Sequence, residues 1–151
     1  QIFYVCMGIY GWHQWLNKNS TEQELSVSTW EPVKHVSAVT LIFVLAYASG
    51  LLLEKYTAAA LPFLDALTTW GAIVTTYMVA NKVLENWIYW FVIDSISIYL
   101  FISRELYFTA FLFFVYLFMI VIGYRAWKQS RVVINDFYDI CTSFLVTRKR
   151  H

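Results

Sequence analysis

Val36 to Leu53 reads VSAVTLIFVLAYASGLLL and carries no charged side chain. A spanning helix needs about 20 mostly apolar residues, because each residue rises about 1.5 Å and the hydrocarbon core is about 30 Å thick. This stretch meets that demand, and three windows after it do the same. Leu61 to Ala80 carries only Asp65, Val83 to Ser103 only Glu85 and Asp94, and Leu106 to Tyr124 no charge at all. A further apolar and aromatic window, Gln1 to Trp15, is too short to span with margin and reads as the second half of a helix that begins upstream. The fold class expected is an all-α membrane protein.

Composition agrees. Of 151 residues, 60% are hydrophobic, 20% aromatic and 14% charged, against about 45–50% apolar and about 25% charged in a typical globular chain. So short a chain has too little interior for that excess, and lipid is its natural solvent. A net charge of +1 with evenly scattered Lys and Arg gives no basic stripe for nucleic acid. Cys6 and Cys141 form neither a disulfide framework nor a CxxC metal site, and His13, His35 and His151 lack metal-ligand spacing. With no glycine-rich phosphate loop and no nucleophile beside a base, catalysis, a metal and a cofactor are not expected.

The links between windows are short: Glu54 to Tyr56, a tight turn at Asn81-Lys82 and a tighter one at Arg104-Glu105. Neighbouring helices are therefore antiparallel. Pro62 marks a helix start, where its missing N–H costs nothing. Placing the loop after Trp15 on one side collects Lys18, Lys34, Lys82, Arg125, Lys128, Arg131, Arg148, Lys149 and Arg150 there, against Lys55 and Arg104 opposite. The first side, with the C-terminus, is predicted to be cytoplasmic.

Sliding the chain by 112 positions sets Tyr4 on Tyr116, Met7 on Met119, Gly11 on Gly123, Trp12 on Tyr124 and Trp15 on Trp127. Both segments end in Gly-aromatic-x-x-Trp at the same membrane face. Parallel repeats of this kind place a substrate site at their interface near the midplane. In that frame residues 1–16 end a first bundle, 17–35 form a cytoplasmic loop, 36–54 are a linker helix, 61–127 form a second three-helix bundle, and 128–151 are a cytoplasmic tail.

Residues at i, i+3, i+7 and i+10 share a helix face, which in the fourth window gives Trp87, Trp90, Asp94 and Ser97, with Asn86 at the rim. An ionised Asp in mid-span costs about 2.5–3.5 kcal/mol, so it faces a partner or a wet cavity. An aromatic box beside a carboxylate suits a flat cationic or polar heteroaromatic ligand. The plainer readings are a helix–helix bond for Asp94 and an interfacial aromatic belt for the tryptophans. Asp65, Thr68 or Thr69, Ala72 and Thr75 or Thr76 line one side of the third window, with Thr68, Ala72 and Thr75 read as close helix packing and bonding across the interface and Asp65 as serving the free N–H groups of its own first turn. In the first segment Gln1, Tyr4, Gly8, Gly11 and Trp15 share a face, the glycines suggesting close packing.

Four stretches carry a family resemblance: Asp65-Ala66-Leu67-Thr68-Thr69, Asn81-Lys82-Val83-Leu84-Glu85-Asn86-Trp87-Ile88-Tyr89-Trp90 running on to Asp94, Glu105-Leu106-Tyr107-Phe108-Thr109-Ala110, and Gly123-Tyr124-Arg125-Ala126-Trp127-Lys128. With Tyr10-Gly11-Trp12-His13-Gln14-Trp15, they resemble the PnuC family of nicotinamide riboside transporters over residues 1–128. The resemblance implies seven helices in a SWEET-like three-one-three arrangement in the cell inner membrane, often as a homo-oligomeric trimer. It implies facilitated diffusion of a vitamin-type substrate, trapped inside by phosphorylation; members also carry thiamine or riboflavin. Carried over by motif, the substrate path comprises Gln1, Tyr4, Asn86, Trp87, Trp90, Asp94, Tyr107 and Tyr116. The chain departs from the family pattern in having Asn81-Lys82 where a basic pair is usual, in lacking the first two helices, and in its extension from Val132 to His151, which carries Asp136 and Asp139 and reads as a surface-lying helix or an unordered tail. A non-transporting membrane subunit, with Asp94 in a helix–helix bond, is the competing reading.

Overall fold

The structure, a computed structural model, describes residues 1–16, 27–57 and 60–148, with side chains described as far as Val132. Among the described residues it is all-helical: α1 (Ile2–Leu16), α2 (Pro32–Tyr56), α3 (Pro62–Ala80), α4 (Asn86–Ser103) and α5 (Tyr107–Arg148). Four of these are long and apolar enough to cross a membrane: α2, α3, α4 and the Tyr107–Val132 part of α5. Prolines at the first turns of α2 and α3 set the helical φ where no N–H bond is lost. Lys55 lies in the last turn of α2, where a cation suits the helix dipole.

Two turns reverse the chain by the same device. After α3, Lys82 adopts φ 48°, the Lys82 N–H donates to the Val79 carbonyl and the Val83 N–H to the Met78 carbonyl. After α4, Glu105 adopts φ 59°, with Glu105 donating to Ile102 and Leu106 to Phe101. Both are Schellman endings, whose left-handed residue is usually glycine. Val83 and Leu84 fall in the first of these turns, which is why α4 begins at Asn86 rather than at Val83 as the apolar window suggests. Glu105→Gly is expected to raise stability by about 0.5–1 kcal/mol, because a side chain in the left-handed region is strained; Lys82→Gly gains less, since it also removes the ammonium from over the Trp15 ring. Thermal unfolding in detergent checks this.

The helix α3 is central: α1, α2 and α4 pack on it, and α5 packs on α4. Against α2, a Cβ on Gly50 would overlap the Phe63 ring, Tyr47 stacks on Phe63 at 6.0 Å, and the Trp70 indole donates to Ser49 Oγ at 2.8 Å. Against α4, Gly71 receives Ile93, and Met78 and Thr75 are fully buried. The hydroxyls of Thr68 and Thr75 do not bond across the interface as the sequence suggests, and those of Thr69 and Thr76 do not either. Each donates to a carbonyl one turn back in its own helix, which satisfies a hydroxyl in an apolar setting without a partner helix. Asp65 likewise departs from the expected role: its carboxylate is ion-paired with Arg104 at the C-cap of α4, tying the two helix ends together.

The Asp65–Arg104 pair marks one end of the assembly. At the other end Trp15, the α3–α4 turn and Trp127 meet: Trp15 Nε1 donates to the Ala80 carbonyl at 3.1 Å, Lys82 Nζ stands 5.1 Å over the Trp15 ring, and Trp15 meets Trp127 edge-on at 6.5 Å. Trp15 and Trp127, the last matched pair of the sequence repeat, are thus in contact. Of the two glycines on the shared face of α1, Gly11 lies against Ala80, while Gly8 meets open space. Past Trp127 the helix α5 continues without a break to Arg148, over a stretch with no Pro or Gly to end it. From Val132 as far as Arg148 the chain is thus helical, as a continuation of α5. The remaining Lys149-Arg150-His151 and residues 17–26 of the first loop lie outside the described residues.

Candidate functional site

The Schellman turn at Lys82 sends buried Val83 and Leu84 inward and starts α4 at Asn86. Asn86 is fully buried; its Nδ2 donates to the Val83 carbonyl at 2.6 Å, which fixes the amide and leaves Oδ1 with no partner among the described residues. The neighbouring Trp87 has a buried Nε1–H that is likewise unpartnered. A buried polar atom without a partner costs about 1–3 kcal/mol, so each of the two is a candidate to bond a further group.

The Trp87 indole sits in a notch on α5: a Cβ on Gly123 would overlap the far edge of its ring, and Trp127 closes over it edge-on at 5.4 Å and 84°. Trp90 is half-buried one turn further along α4. Asp94 lies two turns beyond Trp87, about 10 Å along the axis. It is 4% exposed and forms no hydrogen bond or ion pair among the described residues. Ser97, buried one turn further, satisfies its hydroxyl on the Ile93 carbonyl at 2.9 Å. This part of α4 therefore offers an indole N–H and a carboxyl on one face, with an amide oxygen at its rim, beside aromatic rings. It can accept from hydroxyls and flank a planar ring. Among the residues described, no cluster of His, Cys, Asp or Glu could hold a metal ion.

Asn86, Trp87, Trp90 and Asp94 are thus brought together on one helix. The other residues expected on the path are not joined to them by any described contact. Gln1 and Tyr4 stand on the exposed start of α1, with Tyr4 edge-on to Phe3. Tyr107 is 63% exposed at the start of α5. Tyr116 packs on Phe113, itself against Phe101 of α4, two turns before Gly123 on the same helix. Gly123 and Trp127 belong to the sequence repeat, and the structure adds them to the wall of this site. Their signal was the spacing of Gly-aromatic-x-x-Trp, which sets a ring one turn beyond a notch.

A family model described as Nicotinamide mononucleotide transporter matches residues 1–129. The chain is 24% identical to the nicotinamide riboside transporter PnuC of Escherichia coli K12 and to that of Shigella flexneri, over 86% of this chain and 65% of each relative. It is 26% identical to the riboflavin/roseoflavin transporter RibM of Streptomyces davaonensis, over 89% of this chain and 67% of that protein. The chain thus spans about two thirds of the length of these curated relatives. No solved structure matches it.

Proposed function

The chain belongs to the nicotinamide mononucleotide transporter family, and from that premise we propose that this multi-pass membrane protein carries nicotinamide riboside across the cell inner membrane by facilitated diffusion. Phosphorylation inside the cell keeps the nucleoside from leaving. Trp87 and Trp90 frame the nicotinamide ring, while Asn86 and Asp94 hold ribose hydroxyls. Gln1, Tyr4, Tyr107 and Tyr116 supply the rest of the path as it opens to either side. The tryptophan end faces the cytoplasm, and the working unit is a homo-oligomer, by the family resemblance a trimer with the three-one-three plan.

The observation that carries this reading is the pair of buried, unpartnered polar atoms, Asn86 Oδ1 and Trp87 Nε1, on the same helix as the buried and unbonded Asp94. A vitamin with a flat ring and a polyhydroxylated arm matches both halves of that face. The likeness to RibM favours a second reading, riboflavin, whose ring and ribityl chain present the same two chemistries. Competition binding on the full-length protein separates them. Nicotinamide riboside is expected to displace a labelled copy of itself at least tenfold better than riboflavin or thiamine, a margin that one well-placed polar contact supplies (about 1.4 kcal/mol). Preferential displacement by riboflavin moves the assignment to the second reading, and displacement by none of the three sinks the transport assignment.

A further inference from the structure

The segment before α2 is laid against the start of α4. Ser28 forms a parallel bridge with Val83: the Ser28 N–H donates to the Lys82 carbonyl at 3.0 Å, and the Leu84 N–H donates to the Ser28 carbonyl at 2.8 Å. Two residues on, the Trp30 N–H donates to the Glu85 carboxylate at 3.3 Å. At the first turn of α2, His35 Nδ1 and the Tyr89 hydroxyl share a hydrogen bond at 2.9 Å, their rings stacked 5.8 Å apart and Trp30 tilted against His35 at 5.7 Å.

Glu85 occupies the N-cap of α4, where a side chain normally accepts from its own helix. Its carboxylate makes no such capping bond and reaches the Trp30 amide instead. At about 100° per residue, Glu85 and Tyr89 lie within about 40° of each other, and about 140–180° round the axis from Trp87 and Asp94, with Trp90 at the near edge of the site, about 100° from Tyr89. One side of α4 thus presents the candidate site and the opposite side is fastened to the Ser28–His35 segment.

We infer that Glu85 and Tyr89 are positioning residues, which hold the first turn of α4 against Ser28–His35 so that Asn86 and Trp87 keep their place in the site. Glu85 therefore acts on the substrate through the helix it fastens, without touching it. The binding consequence rests on the function proposed above; the fastening itself does not.

Two readouts on the full-length protein test this: the Kd for nicotinamide riboside, and amide hydrogen exchange across residues 83–90. Glu85→Ala is expected to weaken binding about tenfold and to speed exchange over those residues by a similar factor, because loosening a site's support misplaces its groups. Glu85→Gln still offers an oxygen to the Trp30 amide and is expected to return both values to within about twofold of the wild type. Tyr89→Phe keeps the ring and removes the hydroxyl, and is expected to shift both readouts in the same direction by less; it stands in if Glu85→Ala does not fold. Unchanged exchange in Glu85→Ala, or in Tyr89→Phe where that variant stands in, overturns the inference. So does a Gln variant that binds as weakly as the Ala variant, since that pattern marks a charge acting on the ligand itself. Failure of the wild-type protein to bind nicotinamide riboside overturns the proposed function, and the exchange comparison then decides the fastening alone.

Discussion

Replacing Gly123 with alanine is expected to destabilise the protein by about 1–3 kcal/mol, the usual cost of overfilling a close-packed contact. Alanine is the better helix former by about 1 kcal/mol, so propensity alone predicts the opposite sign. The notch decides the outcome: the new Cβ would occupy the place of the Trp87 ring edge, and Trp127 blocks the ring on another side. Gly11, which the repeat sets on Gly123, supplies the control. A Cβ there meets the Ala80 Cβ at 3.6 Å, an ordinary contact. Gly11→Ala is therefore expected to be neutral or to stabilise by up to about 1 kcal/mol. Thermal unfolding of the two variants in detergent reads the contrast, and the tryptophan emission of Gly123→Ala reports whether Trp87 has left its seat.

That contrast also shows what a repeat in sequence leaves unsaid. Glycine at matched positions predicts close approach at both, and both glycines do face neighbours, yet only one neighbour is a ring edge. Which atom fills a notch depends on the rotation and crossing of helices distant in sequence, and hydropathy carries no such information. The spans themselves were legible, because bilayer thickness sets their length and the Pro and charge positions set their ends. Asp65 has a partner hidden from the sequence for a related reason. Its place just after Pro62 points to service within the first turn, but Arg104, 39 residues away, is brought beside it by the antiparallel return of α4 and offers a stronger partner. The α4 face was legible through its i, i+3, i+7 spacing, since a single helix needs no tertiary information to align its own side chains. The opposite face, with Glu85 and Tyr89, was not, because its partners Trp30 and His35 come from a connection whose path the periodicity does not encode.

Asp94→Asn is expected to raise stability by about 1–2 kcal/mol while weakening substrate binding at least tenfold. A buried carboxyl with no described partner is costly in a membrane span, and an amide of the same shape removes the charge that makes it so. Stability gained at the expense of binding is the pattern of a residue kept for its ligand. A residue kept for a helix–helix bond behaves otherwise, since its loss weakens the fold.

The proposed function places the vitamin on one face of α4, from Asn86 to Asp94. Equilibrium binding of nicotinamide riboside to full-length wild type, Trp90→Ala and Asp94→Asn, each checked for unfolding midpoint, tests it most directly. The expected result is binding by the wild type and a loss of about tenfold or more in both variants, with Trp90→Ala still folded and Asp94→Asn melting higher. Equal affinity in all three proteins would contradict it.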